Sequence, residues 1–332
     1  MRRRDFAGAL LLAGAARRAW AQQPEKQRRI AFVNSGIPAD QLTETAGPFW
    51  VRRFFETLRG LGYAEGGNLV VERYSAEGRF DRFAALATAV VSRNPDVIAT
   101  NLNALVNAFR AATATIPIVA IVPDPVGSGL VRSLAQPGGN VTGVSIDAGV
   151  EIFGKQLQIL KEAIPSAAKV AYLASHERWE GGPGQALREA AQRLGIALIG
   201  VSPPEVNDAQ LRGAFADMAQ QRLDAAVVGA ENNFTAHRAL IVELAEKYRL
   251  PLMCPYRDYV ELGGLMAYSP DLGELGQRMA DDVHQILNGA KPGDIPFYQP
   301  TKFELIINLK TAEALGLTFP QSIFVRADEV IE

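Results

Sequence analysis

The side chains that most often carry chemistry are scattered in this sequence. Its three histidines, His176, His237 and His284, lie far apart, and none belongs to an H-E-x-x-H pair that would hold a metal. His176-Glu177 lacks the second histidine four residues on. Cys254 is the single cysteine, which rules out a CxxC pair and any internal disulfide. No G-x-S-x-G elbow presents a serine, and no G-x-G-x-x-G follows an apolar run. Asp124-Pro125-Val126-Gly127-Ser128-Gly129 has the glycines of a phosphate loop without its Gly-Lys-Ser/Thr ending. The spacing therefore predicts no catalytic centre, no metal site and no cofactor.

The sequence does place polar and aromatic side chains where short apolar runs end. Asn34 and Ser35 follow the first run, and Trp50 lies just beyond at the start of a helical segment. Asn101 and Asn103 follow Val97 to Thr100, and Asp124 follows Ile118 to Val122. In the second half, His176 follows Val170 to Ala174, Glu231 and Asn232 follow Ala225 to Val228, and Tyr256 and Arg257 follow Leu252-Met253. Tyr268 comes after the turn Gly263-Gly264. Such residues suit binding. Asp124 suits a ligand ammonium or its own turn, and Arg257 suits a carboxylate or a salt bridge to Asp258 or Glu261. The aromatic rings suit an apolar ligand body or packing under a loop. Asn103 and Asn233 are also good helix caps.

These residues are positioned by an alternation of strand and helix. Ile30 to Val33, Leu69 to Tyr74, Val97 to Thr100 and Ile118 to Val122 read as strands, with helices near 48–61, 80–93 and 103–114. The rhythm resumes at Val170 to Ala174, Ala197 to Val201, Ala225 to Val228 and Leu252-Met253, with helices near 184–194, 208–221 and 234–248. Near-continuous apolar strands suit parallel sheets covered on both faces, so the fold class is α/β with two sheets. The halves also repeat. Asn94-Pro95-Asp96 before one strand answers Arg222-Leu223-Asp224 before another, and Ile116-Pro117 answers Leu250-Pro251. The repeat aligns Asn101 to Asn103 with Glu231 to Asn233, and Pro123-Asp124-Pro125 with Pro255-Tyr256-Arg257. In open parallel sheets, ligands bind beyond the carboxyl ends of strands, so facing lobes would line one cleft with these turns.

Arg2, Arg3 and Arg4 precede Phe6 and an alanine-rich apolar run, and Ala19-Trp20-Ala21 supplies a cleavage site, the layout of an export signal over 1–21. Arg3-Arg4-Asp5-Phe6 has twin-arginine spacing, leaving Tat and Sec routes both open. Without that segment, 29 basic face 35 acidic side chains, a balance that argues against a nucleic-acid partner.

Asp124 to Val131, Gln136-Pro137-Gly138-Gly139-Asn140-Val141-Thr142-Gly143, Gly263 to Tyr268, Gln299 to Leu305 and Arg326 to Ile331 strongly resemble the ABC-transporter substrate-binding family that includes TrpX-like proteins. The resemblance implies a type I periplasmic-binding-protein architecture of two Rossmann-like lobes with three hinge crossings, near 144–150, 266–270 and 298–302. It implies lobe 1 at 28–147 with 268–299, lobe 2 at 148–267 with 300–332, and a helix over 271–290 returned to lobe 1. It also implies a non-enzymatic periplasmic monomer that passes a small-molecule solute to an ABC permease in the inner membrane. A ligand-sensing subunit for a receptor and a cleft hydrolase are the alternatives. Asn101-Leu102-Asn103 departs from the glycine-threonine-proline type turn of many relatives, which puts a tryptophan-like specificity in question.

Overall fold

The computed structural model describes residues 27–147 and 149–332. The signal segment 1–21 lies outside the described residues. Five strands form the first sheet: β1 (Arg28–Asn34), β2 (Leu69–Ser75), β3 (Val97–Asn101), β4 (Ile118–Val122) and β5 (Val141–Ser145). Their order is β2-β1-β3-β4-β5 and every pairing is parallel. β4 reads Ile-Val-Ala-Ile-Val and is buried along its whole length, as a strand covered by helices on both faces must be.

The second sheet holds β6 (Lys169–Leu173), β7 (Ala197–Val201), β8 (Ala225–Val228), β9 (Leu252–Cys254), β10 (Met266–Pro270), β11 (Phe303–Asn308) and β12 (Glu329–Ile331). Its order is β12-β11-β10-β9-β8-β6-β7. The run β7-β6-β8-β9-β10 is parallel throughout and repeats the order of the first sheet, while β11 runs antiparallel to β10. Matched hydrogen bonds show the repeat at its base. The Asp96 carboxylate accepts the Arg29 N–H at 2.8 Å, and the Asp224 carboxylate accepts the Lys169 N–H at 2.8 Å.

The structure departs from the sequence reading in four places. β5 occupies part of the stretch expected as a crossing, because Gly143 lets it lie hard against β4. A Cβ there would sit 2.0 Å from the Ala120 carbonyl oxygen. The boundary expected at 267/268 falls inside β10, which stays in the second sheet through Pro270 between β9 and β11. The helix expected over 234–248 is two, Asn232–Ala236 and Arg238–Tyr248, meeting at His237. Neither expected asparagine caps a helix. Leu102, at φ 67°, precedes Asn103, and Glu231 precedes Asn232–Ala236.

From Pro270 the chain enters the helix Leu272–Leu287, whose buried face includes Leu275, Met279, Val283 and Ile286. It packs against the helix Phe49–Gly60 in the core of the first sheet, and Gly276 admits the close approach. A Cβ at 276 would lie 2.2 Å from the Trp50 carbonyl oxygen. The last crossing runs beside β5, where the Ser145 N–H donates to the Tyr298 carbonyl at 2.7 Å.

Candidate functional site

In each lobe, the middle strand pair leaves the sheet in opposite directions: from β1 to β2 and from β3 to β4, then from β6 to β7 and from β8 to β9. Such switch points open a crevice at the carboxyl ends of the strands. In the first lobe Ser35 and Asn101 are joined across it. The Ser35 N–H donates to Asn101 Oδ1 at 2.8 Å, and Asn101 Nδ2 donates to Ser35 Oγ at 3.0 Å. In the second lobe the Ser175 N–H donates to Glu231 Oε1 at 2.8 Å. The two lobes thus close the same gap with the same kind of bond, an amide-type oxygen in one and a carboxylate in the other.

Both crevices hold buried polar atoms without a hydrogen-bond partner. Among the described residues they are Asn34 Nδ2, Thr100 Oγ1 and Asn103 Oδ1 in the first lobe and Glu231 Oε2 in the second. Buried polar atoms are nearly always satisfied, so a cluster of exceptions at strand ends marks a place built to receive hydrogen bonds. Asn34 Oδ1 is already committed to the Gly36 and Ile37 N–H groups, and Asn103 Nδ2 donates to the Pro123 carbonyl at 3.0 Å.

Tyr256 brings the lobes together. It follows β9, yet its half-buried ring packs against the apolar core of the first sheet as well as that of the second. Burial pushes its phenol up to about 12, a shift that Arg178 opposes and Glu231 reinforces, so it stays protonated at any physiological pH. Beside it the lobes are clasped. The Phe49 N–H donates to Asp258 Oδ1 at 3.0 Å, and Arg52 pairs with Glu261 at 3.0 Å. The Arg257 guanidinium lies 4.3 Å from the Phe49 ring centroid. Burial holds the Asp258 carboxyl above the usual range although the Phe49 N–H favours its charged form.

Other expected site residues sit elsewhere. Trp50 is buried in the first core, stacked on Phe32 at 5.8 Å, because it lies on the inward face of its helix. Arg257 donates to Glu261 at 2.8 Å and to Glu329, the salt-bridge use anticipated for it. Tyr268 stacks on Phe303 at 5.9 Å and packs against the outer core of the second sheet. Asp124, at φ 34°, accepts the Gly127 N–H at 2.7 Å and so holds its own turn. His176 and Asn232 are exposed at their strand ends. The sequence reading passed over Arg178, whose only signal was its place in the turn after β6, and over Phe49 and Asp258, whose pairing needs the folded chain.

A groove of about 650 Å³ lies away from these strand ends, between the helices Glu151–Ala163 and Gly182–Leu194. Its walls carry Glu151, Lys155, Glu189 and Arg193 on solvent-facing helix surfaces, a poor setting for enclosing a small molecule. Among the described residues no group of three or more His, Cys, Asp or Glu side chains could hold a metal, and no helix is long and apolar enough to cross a membrane.

Comparison with known proteins gives a consistent picture. A family described as "ABC transporter substrate binding protein" matches residues 49–331. A Clostridioides difficile protein named "Tyrosine-binding protein" is 27% identical over 286 residues, 83% of this chain and 80% of the relative. A solved Vibrio cholerae conserved domain protein is 27% identical with a TM-score of 0.75, covering 92% of this chain and 100% of that one. A Streptococcus pneumonia ABC domain solved in complex with L-Trp superposes with a TM-score of 0.75 at 23% identity, again covering 92% of this chain and 100% of its own.

Proposed function

The chain belongs to the ABC transporter substrate-binding protein family, and from that premise we propose that it binds an amino acid or a similar carboxylate-bearing aromatic solute between its lobes. The loaded protein then presents that solute, outside the cytoplasmic membrane, to the permease of an ABC importer. Export through the N-terminal segment belongs to the same reading, as does a lobe division of 28–147 with 271–299 against 148–270 with 300–332. Asn34, Ser35, Asn101 and Asn103 form one wall of the site, and Glu231, Asn232 and Tyr256 the other, with Asp124 and His176 at the rim.

The observation that carries this reading is Tyr256, a ring packed against both cores beside strand-end polar atoms that lack partners. An apolar surface with a few convergent polar groups is the usual make-up of a small-molecule site. The relatives support the ligand class, one being named for tyrosine and another solved with L-Trp. The experiment is a thermal-shift screen of the purified protein against amino acids, aromatic acids, sugars and nucleosides, since a ligand specific to the native state raises the melting temperature. An amino acid or aromatic acid is expected to raise it, and Tyr256→Ala to abolish the shift. A response confined to sugars or nucleosides would overturn the ligand class.

A further inference from the structure

At the end of β6 the chain turns at Ser175 and enters the short helix His176–Glu180, which carries Arg178 half-buried. The Arg178 backbone N–H is bonded to Ser175 Oγ, but its guanidinium has no hydrogen bond or ion pair among the described residues. An arginine in this condition is unusual, because a partly desolvated guanidinium normally finds a carboxylate. One is at hand. Glu231, at the end of the adjacent β8, is close enough to act on the phenols of Tyr172 and Tyr256, and Arg178 acts on the same two phenols with the opposite sign. The two charges share a neighbourhood without pairing.

The local geometry explains why. Glu231 Oε1 is committed to the Ser175 N–H at 2.8 Å, which fixes the carboxylate across the β6/β8 gap. Its other oxygen, Oε2, is buried without a partner over Gly229, where a Cβ would stand only 2.1 Å away. Gly229 thus leaves room for an oxygen that is pinned in place and unsatisfied.

We propose that Arg178 and Glu231 are the two jaws of a clamp for the zwitterionic head group of an α-amino acid. Arg178 holds the α-carboxylate through two parallel N–H···O bonds, Glu231 Oε2 accepts from the α-ammonium, and the Tyr256 ring supports the side chain. A zwitterion neutralises both charges at once, whereas an uncharged sugar or nucleoside can hydrogen-bond to the two groups but neutralises neither. The clamp rests on the reading of this cleft as an amino-acid site and adds to it the residue that takes the carboxylate, together with the selection by head group that follows.

The test is titration calorimetry with the twenty proteinogenic amino acids. The tightest binder is then compared with its decarboxylated amine and its deaminated acid, against wild type, Arg178→Gln and Glu231→Gln. Arg178→Gln removes a side chain with no hydrogen bond or ion pair among the described residues and Glu231→Gln keeps the acceptor for Ser175, so the ligand-free melting temperatures serve as fold controls. Arg178→Gln is expected to weaken the amino acid by about 10- to 100-fold, the scale of a charge-assisted hydrogen bond, and to leave the amine unchanged. Glu231→Gln is expected to weaken the amino acid and spare the deaminated acid. If wild type binds an amino acid but Arg178→Gln weakens acid and amine alike, the clamp is wrong while the amino-acid reading stands. If wild type binds none of the twenty, both fall.

Discussion

Asp282, buried in the helix Leu272–Leu287, has no hydrogen-bond partner for Oδ2 among the described residues, and burial, reinforced by Asp281, pushes its carboxyl up to about 8. A carboxyl raised from 3.8 keeps a proton in the folded state that the unfolded chain has already lost, so stability falls as pH rises between those values and levels off above about 8. Asp282→Asn removes this titration. The melting temperature of the variant is expected to exceed that of wild type by a margin that widens from pH 5 to pH 8, by about 2–4 °C for each kcal/mol gained. Melting curves across that pH range check it. Little of this was legible in the sequence, because which side of the helix Leu272–Leu287 is buried is decided by its packing on the first lobe. Tyr256 was legible as a strand-end aromatic, but its contact with both cores depends on the approach of two lobes, which no local pattern encodes. Trp50 shows the converse. It follows the first strand's turn, yet helical phase turns it onto Phe32 rather than towards the cleft.

At the scale of elements, one close approach packs the first lobe and one clasp joins the lobes. Gly276 lets the helix Leu272–Leu287 lie against Trp50, and a larger residue there must push the two helices apart. Gly276→Val is expected to lower stability by about 1–3 kcal/mol, the cost of overpacking, seen as a lower denaturation midpoint with an unchanged slope. The clasp of Phe49, Asp258, Arg52 and Glu261 joins the helix Phe49–Gly60, which has no side-chain cap of its own, to the short helix Arg257–Glu261. Asp258→Ala leaves the Phe49 N–H without its acceptor and is expected to cost about 1 kcal/mol. It should also enlarge the radius of gyration of the ligand-free protein in X-ray scattering, whereas Asp258→Asn, which retains an oxygen acceptor, should do neither.

For the whole molecule, the duplicated sheets make the protein a pair of bodies joined by three chain crossings. A ligand held by both lobes stabilises whichever arrangement lets it touch both, so its binding free energy shifts a population of shapes. Saturation with the amino acid found by calorimetry is expected to reduce the radius of gyration, and Tyr256→Ala is expected to remove that change at ligand concentrations that saturate wild type. Scattering with and without ligand distinguishes this from binding to one lobe alone, which leaves the radius unaltered.

The sequence by itself determined the parallel α/β class, eight strands read from short, mostly apolar runs, the internal repeat and the strand ends that carry polar residues. These are legible because burial on both faces of a parallel sheet demands an unbroken apolar run, and because chain direction fixes which end of a strand bears the turn. The tertiary structure decided the rest. β10, β11 and β12 interrupt short apolar runs with Tyr268, Ser269, Glu304 and Glu329, and their place in the sheet depends on neighbours from distant parts of the chain that satisfy their backbone. Which polar side chains remain unpaired is decided the same way. Arg257 and Arg178 look alike in the sequence, both just beyond a strand of the second lobe, yet one finds Glu329 across the fold beside Glu261 on its own helix, and the other finds no ionic partner among the described residues. That difference depends on distances between segments far apart in the chain, and only the folded protein sets them.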